Sequence, residues 1–183
     1  GEATVRALLS AVSAGTERKV LEGSLVAAAQ PADVSIGSLD EETPTWPLRY
    51  GYALVGCVED PGDSQVAWGT RVFCFHPHAS RANILGKDML KVPEGLSDSD
   101  AALFASLETA LSLVQDAAPV VGDRVAVFGA GAVGALVAAV LGHHHFQLSL
   151  YEPCAARATA VKRRFPDVQL NAGKNFDVLI ETS

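Results

Sequence analysis

The sequence is poor in the features that mark several large classes of protein. Its three cysteines, Cys57, Cys74 and Cys154, lie far apart and form no CxxC pair. That excludes a disulfide-framed scaffold, and scattered single thiols suit a reducing, cytoplasmic setting. Lys and Arg number 14 against 21 Asp and Glu, a net charge of −7. No basic patch offers a footing for phosphate backbones, so nucleic acid is not an expected partner. No apolar run reaches the ~20 residues of a membrane span, and no signal peptide opens the chain. The single methionine is not the first residue. The chain opens at Gly1 and stops at Ser183 just behind an apolar run, Phe176–Ile180. The expectation is therefore a piece of a longer protein. Its open half-sheet would expose an unpaired edge, and the isolated stretch would fold poorly.

Hydrophobic residues make up 49% of the chain, enough for a sizeable core. Their most informative arrangement is RVAVFGAGAVGALVAAVLGHHHFQLSLYE, Arg124–Glu152. A short apolar run, Val125–Phe128, has the length of a buried strand. It leads into Gly129-Ala130-Gly131-Ala132-Val133-Gly134, and an Ala-rich run, Ala132–Leu141, then predicts a helix. A second strand, Leu148–Tyr151, ends at Glu152.

Each part has a physical task in dinucleotide binding. Gly129 permits the tight strand-to-helix turn, Gly131 lets a pyrophosphate approach the backbone, and Gly134 lets the helix lie close to the strand. The N–H groups of the first helical residues, Ala132 and Val133, face the phosphates at the positive end of the helix dipole. Glu152 can accept two hydrogen bonds from the adenosine ribose, and its charge repels a 2′-phosphate. That favours NAD over NADP. A glycine-rich turn in an unrelated α/β domain would give the same six residues. The flanking strand, helix and acid at the expected spacing argue for the cofactor.

Ahead of this unit the pattern is β-rich. Ala3–Ser13 alternates as a strand. Glu17–Gly23 reads as a short helix with Thr16 as N-cap and Gly23 as stop. Ser24–Thr45 lacks periodicity and reads as a surface loop. Strands are expected over Pro47–Asp60, with Gly56 at a close approach, and over Arg71–His76. Turns fall at Pro61-Gly62-Asp63 and Val92-Pro93-Glu94-Gly95. Ser97–Gln115 repeats apolar residues at helical spacing, with Asp98 and Asp100 in its first turn. The change from irregular β to alternating β and α places a boundary near 118, giving domains 1–117 and 118–183. Beyond Glu152, a basic helix, Ala155–Phe165, and strands at Val168–Leu170 and Asp177–Ile180 are expected. Arg157 sits close enough to Glu152 to stack on adenine or meet a 2′-phosphate. His143-His144-His145 reads as an exposed helix end.

The order of Ser13-Ala14-Gly15-Thr16-Glu17-Arg18, Tyr50-Gly51-Tyr52-Ala53-Leu54-Val55-Gly56, the Gly69–Phe73 strand entry, Val92-Pro93, Glu108-Thr109-Ala110 and Gly122–Gly134 is similar to the medium-chain dehydrogenase/reductase superfamily. The chain resembles most its bacteriochlorophyllide a dehydrogenase-like branch, through Ser13–Arg18, Tyr50–Gly56, His76-Pro77-His78 and Leu107-Glu108-Thr109-Ala110-Leu111. The resemblance implies an α/β fold, a partial GroES-like catalytic domain followed by the first part of a Rossmann domain. It also implies a nicotinamide-dependent oxidoreductase acting on a small-molecule alcohol or carbonyl, and a homo-oligomer for the full-length protein.

Aligned by those motifs, the superfamily's zinc ligands fall on Ala14, Tyr52 and Ala105, and the Glu beside the second falls on Ala53. None of the three replacements is a good zinc ligand. No cysteine occurs from His78 to Lys91, where the structural zinc loop would lie. A zinc-independent enzyme is expected. His76 and His78, two apart on a strand, could share one ion, but no third ligand is evident by spacing.

Without zinc, other groups must hold the substrate oxygen and handle its proton. The resemblance gives Thr16 as a relay hydroxyl, Tyr52 as a phenol at a vacated ligand position, Glu17 as an acid behind it, and Glu108 and Thr109 as residues beside the nicotinamide. The plainer readings are core packing for Tyr52 and a salt-bridged helix residue for Glu108. The branch's substrate would be a hydroxyethyl chlorin. An NADPH-dependent enoyl or quinone reductase and a non-enzymatic NAD-binding protein are the alternatives.

Overall fold

The computed structural model describes residues 1–23, 48–144 and 146–182. The expected surface loop over 24–45 lies outside them, as does His145. The chain divides into two compact units, Gly1–Ala105 and Ser106–Ser183.

The first unit is built on strands β1 (Glu2–Ser10), β2 (Leu54–Asp60), β3 (Arg71–Cys74), β4 (Arg81–Leu85) and β5 (Leu90–Lys91). They form one antiparallel sheet in the order β4-β1-β2-β3-β5. Side chains alternate faces along each strand, so the sheet has two apolar sides. Val5, Leu54, Val58, Val72 and Cys74 pack on one. Val55 and Phe73 pack on the other, with Ala101, Ala102 and Ala105. Gly56 sits where β1 and β2 press together: a Cβ there would lie 2.3 Å from a methyl of Val5 and 2.8 Å from the carbonyl of Arg6.

Helix α1 spans Thr16–Leu21, with Gly15 at the N-cap and no side-chain cap. Thr16 is therefore the first helical residue and not the cap expected of it. Gly23 follows with φ +67, the left-handed conformation of a helix stop. The long helix expected over Ser97–Gln115 is instead two, α2 (Asp98–Ala101) and α3 (Phe104–Ala117). Ser97 caps α2 by accepting the N–H of Asp100. The N–H of Leu103 bonds to the carbonyl of Asp100, three residues back, which tightens the turn and separates the helices.

The second unit alternates β6 (Arg124–Phe128), α4 (Ala132–His143), β7 (Gln147–Tyr151), α5 (Ala155–Arg164), β8 (Gln169–Leu170) and β9 (Val178–Glu181). Its sheet is parallel, in the order β8-β7-β6-β9. Val125, Val127, Leu148, Leu150 and Ile180 bury one face against Val137, Ala138 and Leu141 of α4 and Val161 of α5. The chain runs from β6 to β7 to β8 on one side and returns to β9 on the other, so the carboxyl ends of β6 and β9 flank a switch point, where ligands of such sheets bind. No helix among the described residues is long and apolar enough to cross a membrane.

Candidate functional site

Gly129 leaves β6 with φ +95 and donates its N–H to the carbonyl of Tyr151 at 2.8 Å. That conformation suits glycine and turns the chain sharply out of the strand. Gly131 caps α4 with ordinary dihedrals and no side-chain hydrogen bond at the helix start. It is exposed, and a Cβ built on it would meet nothing within 4 Å. Ala132 and Val133 follow, exposed and half-buried. Gly134 is the opposite case: its Cβ would fall 2.0 Å from the carbonyl of Gly129 and 2.5 Å from the hydroxyl of Thr182. One glycine thus faces open space and the other seals the helix to the strand end.

Glu152 follows β7 directly and is 2% exposed. One carboxylate oxygen accepts the backbone N–H of Ala130 at 2.8 Å. The other accepts the N–H of Cys154 at 2.7 Å and the Arg157 guanidinium at 2.9 Å. The Arg157 hydrogen bond, then the Cys154 and Ala130 amides, outweigh desolvation and hold the carboxyl down to about 2. Glu152 therefore points at the glycine turn, as a ribose-binding acid must, but Arg157 covers it. Arg157 itself is 57% exposed along its side chain.

Two residues that sequence reasoning missed fix this geometry. Asn171, at φ +49, accepts the backbone N–H of Glu152 at 2.8 Å and donates to its carbonyl at 3.2 Å. Thr182 donates its hydroxyl to the carbonyl of Phe128 at 2.8 Å, with Gly129 at 3.2 Å. Nothing in the local sequence of either residue signals the contact. A cavity of ≈ 510 Å³ in this unit is lined by Glu152, Pro153, Thr159, Lys162 and Asn171, among others, and by none of residues 129–134. The glycine turn therefore lies outside that cavity.

Glu108 and Thr109 are exposed on α3. The Glu108 carboxylate accepts the Ser112 hydroxyl at 3.4 Å.

In the first unit the remaining candidates separate. Tyr52 packs against the cluster of Val55 and Phe73, the plainer of its two readings. Glu17 is engaged on both oxygens: one accepts the N–H of Ser13 at 2.7 Å and the other meets His78 at 2.9 Å. Thr16 is half-buried, its N–H directed at the Ser13 hydroxyl at 3.4 Å. β3 ends at Cys74, before His76, so strand alternation does not align the two histidines. The His76 ring lies against the carbonyl of Pro77, while that of His78 lies between Ser10 and Glu17. Among the described residues, no three His, Cys, Asp or Glu side chains gather where one metal ion could meet them.

No protein-family description and no curated protein matches the sequence. Solved structures do match. A protein from Clostridium scindens described as a zinc-binding dehydrogenase superposes over 100% of this chain, with TM-score 0.73 and 13% identity, and the match covers 61% of its own length. A quinone oxidoreductase from Thermus thermophilus, solved also with NADPH, covers 93% with TM-score 0.68 and 21% identity, over 51% of its length. An Escherichia coli alcohol dehydrogenase complexed with NADH covers 100% with TM-score 0.67 and 18% identity, over 56% of its length. The chain thus spans between about half and three fifths of these structures. Their fold is the one described above, a GroES-like sheet followed by the opening strands of a Rossmann domain, which is what the resemblance to medium-chain dehydrogenases/reductases implied.

Proposed function

We propose that the chain carries the cofactor-phosphate site and part of the catalytic domain of a nicotinamide-dependent, zinc-independent oxidoreductase of the medium-chain type. In the complete protein it would interconvert an alcohol and a carbonyl compound. One observation carries the reading. An exposed glycine with open space around it stands at the uncapped start of α4, beside a buried acid tied to the same turn.

These residues fit a dinucleotide. The amides of Ala132 and Val133 would take the pyrophosphate at the positive end of α4, with Gly131 allowing its close approach. Glu152 would take the ribose hydroxyls once Arg157 swings off its carboxylate, and that preference makes NAD the expected cofactor. The bound nicotinamide supplies the hydride acceptor or donor. By the resemblance, Thr16 and Tyr52 would be the candidates to meet the substrate oxygen, and Glu108 and Thr109 the candidates to meet the nicotinamide. Alanines at two of the three ligand positions, Ala14 and Ala105, support a zinc-free reaction. The substrate suggested by the branch is a hydroxyethyl chlorin, a flat apolar ring bearing a secondary alcohol.

A second reading has one observation in its favour. The exposed Arg157 guanidinium beside Glu152 is a natural partner for a 2′-phosphate, which an NADPH-dependent enoyl or quinone reductase would need.

Turnover of the complete protein with NAD and secondary alcohols, with and without chelator, tests the proposal. Alcohol oxidation that survives chelation supports it. Activity lost on chelation refutes the zinc-free reading. Enone reduction with NADPH alone favours the second.

A further inference from the structure

Glu152 is one of two side chains that grip the glycine turn; the other comes from the far side of β6. The sheet order β8-β7-β6-β9 places β7 and β9 on opposite flanks of β6. Residues 128–130 leave the sheet between them, and each flank holds part of that backbone. The N–H of Gly129 donates to the carbonyl of Tyr151, at the end of β7. The N–H of Ala130 donates to Glu152 Oε2 at 2.8 Å. From the β9 side, Thr182 donates its N–H to the carbonyl of Phe128 at 2.9 Å. Its Oγ1 lies 2.8 Å from the same carbonyl and 3.2 Å from that of Gly129. A threonine hydroxyl has one proton, so Thr182 shares it between two consecutive carbonyls, a three-centre bond.

The carbonyl of Gly129 and the N–H of Ala130 are the two ends of one planar peptide unit. That unit is held from both flanks, its oxygen by Thr182 and its N–H by Glu152. Rotating it breaks both contacts at once. Gly129, at φ +95, adds no stiffness of its own, because a glycine moves freely about its dihedrals. Gly131 follows directly and starts α4 from an extended conformation. The plane of the 129–130 unit therefore sets where Gly131 and the first amides of α4 face, and those amides lack partners inside the helix. Gly134 closes over the same contact: a Cβ there would stand 2.0 Å from the Gly129 oxygen and 2.5 Å from Thr182 Oγ1.

We propose that Thr182 is a positioning residue for the cofactor diphosphate, an inference that rests on the dinucleotide reading above. It acts through the Gly129–Ala130 peptide, with Glu152 as its counterpart on the opposite flank. The two oxygens of Glu152 divide the work. Oε2 stays on the turn, while Oε1, now held by Arg157 and the Cys154 N–H, is the oxygen left for the ribose once Arg157 moves. Loss of the Thr182 hydroxyl keeps that acid in place and frees the peptide on one side. Its effect therefore falls on the diphosphate and spares the nucleoside. Threonine and serine both supply the shared proton; alanine does not.

The test uses the complete protein as wild type, Thr182→Ala and Thr182→Ser. Each is titrated calorimetrically with NADH and NADPH, which share the diphosphate, and with adenosine, which has none. Thr182→Ala should weaken the better-bound dinucleotide by roughly tenfold, the worth of one hydrogen bond, and leave adenosine affinity unchanged. Thr182→Ser should restore dinucleotide affinity. Amide hydrogen exchange of the cofactor-free proteins gives a second readout. In the wild type the Ala130 N–H should exchange as slowly as that of Val127 inside β6; in Thr182→Ala it should exchange roughly tenfold faster while Val127 holds. A hydroxyl that merely stabilised the fold would weaken nucleotide and nucleoside alike. Equal losses for both, wild-type dinucleotide affinity in Thr182→Ala, a serine variant as weak as the alanine one, or fast Ala130 exchange in the wild type would overturn the positioning role and leave the dinucleotide reading standing. A wild type that binds neither NADH nor NADPH overturns both.

Discussion

Glu152 is hydrogen-bonded to Ala130: an acid at the end of β7 grips the middle of the glycine turn that follows β6, at 2.8 Å. The acid proposed to hold the ribose is thus also a strut for that turn. Its charge is balanced locally by Arg157 and two backbone amides.

Acid should loosen this strut. The folded Glu152 carboxyl titrates at about 2, below its ordinary value of 4.5, so its stabilisation is complete above about 4.5 and is lost as pH falls towards 2. Urea unfolding of the complete protein followed across that window should show the loss. Glu152→Gln should remove that part of the acid dependence and cost about 1–3 kcal/mol at neutral pH, as expected for hydrogen bonds to a charged group. Identical acid profiles for both proteins would show that the strut carries no stability.

The two glycines of the loop should respond unequally to a methyl group. Gly134→Ala puts a carbon 2.0 Å from the Gly129 carbonyl, where backbone must move. A loss of about 1–3 kcal/mol or more is expected, as for other overpacked sites. Gly131→Ala meets nothing within 4 Å and should cost only the weaker N-cap it leaves, about 0.5–1 kcal/mol. Differential scanning calorimetry of the two variants decides the matter.

The three thiols should alkylate in a definite order. Cys154 is exposed, and the amides of Arg157 and Ala156 at the start of α5 hold its thiol below the ordinary value, with help from the Arg157 charge. Burial pushes the Cys74 thiol up to about 12. Under native conditions iodoacetamide should label Cys154 first and Cys74 last, since the thiolate is the reacting form. Peptide mapping over time reads the order; early labelling of Cys74 would contradict the packing described.

Arg157 should tune the choice between cofactors. Removing it uncovers the Glu152 carboxylate and withdraws the cation nearest a 2′-phosphate. Arg157→Ala should therefore raise the NADPH-to-NADH ratio of dissociation constants by about tenfold, the worth of one charge-assisted hydrogen bond. An unchanged ratio would place the ribose elsewhere.

Much of the second unit was legible because its signals are local. A strand, a glycine turn, an Ala-rich helix and a closing acid lie in one continuous stretch, and the observed β6, α4 and β7 end within two residues of the expected bounds. The first unit was less so. Apolar periodicity runs unbroken across Ala102 and Leu103, so it hides the tight turn that parts α2 from α3. Gly15 takes the cap that residue type assigns to Thr16. Long-range polar pairs left no trace: Ser10 with His78, Asn171 with Glu152 and Thr182 with Phe128 depend on sheet register and strand order. The expectation that His76 and His78 shared a face failed because β3 ends before either.

Calorimetric titration of the complete protein with NADH, wild type against Gly131→Val, tests the dinucleotide assignment most directly. The wild type should bind one equivalent saturably, and the variant should remain folded yet bind at least about tenfold more weakly, a difference of about 1.4 kcal/mol. No binding by the wild type, or equal affinity in both, would contradict it.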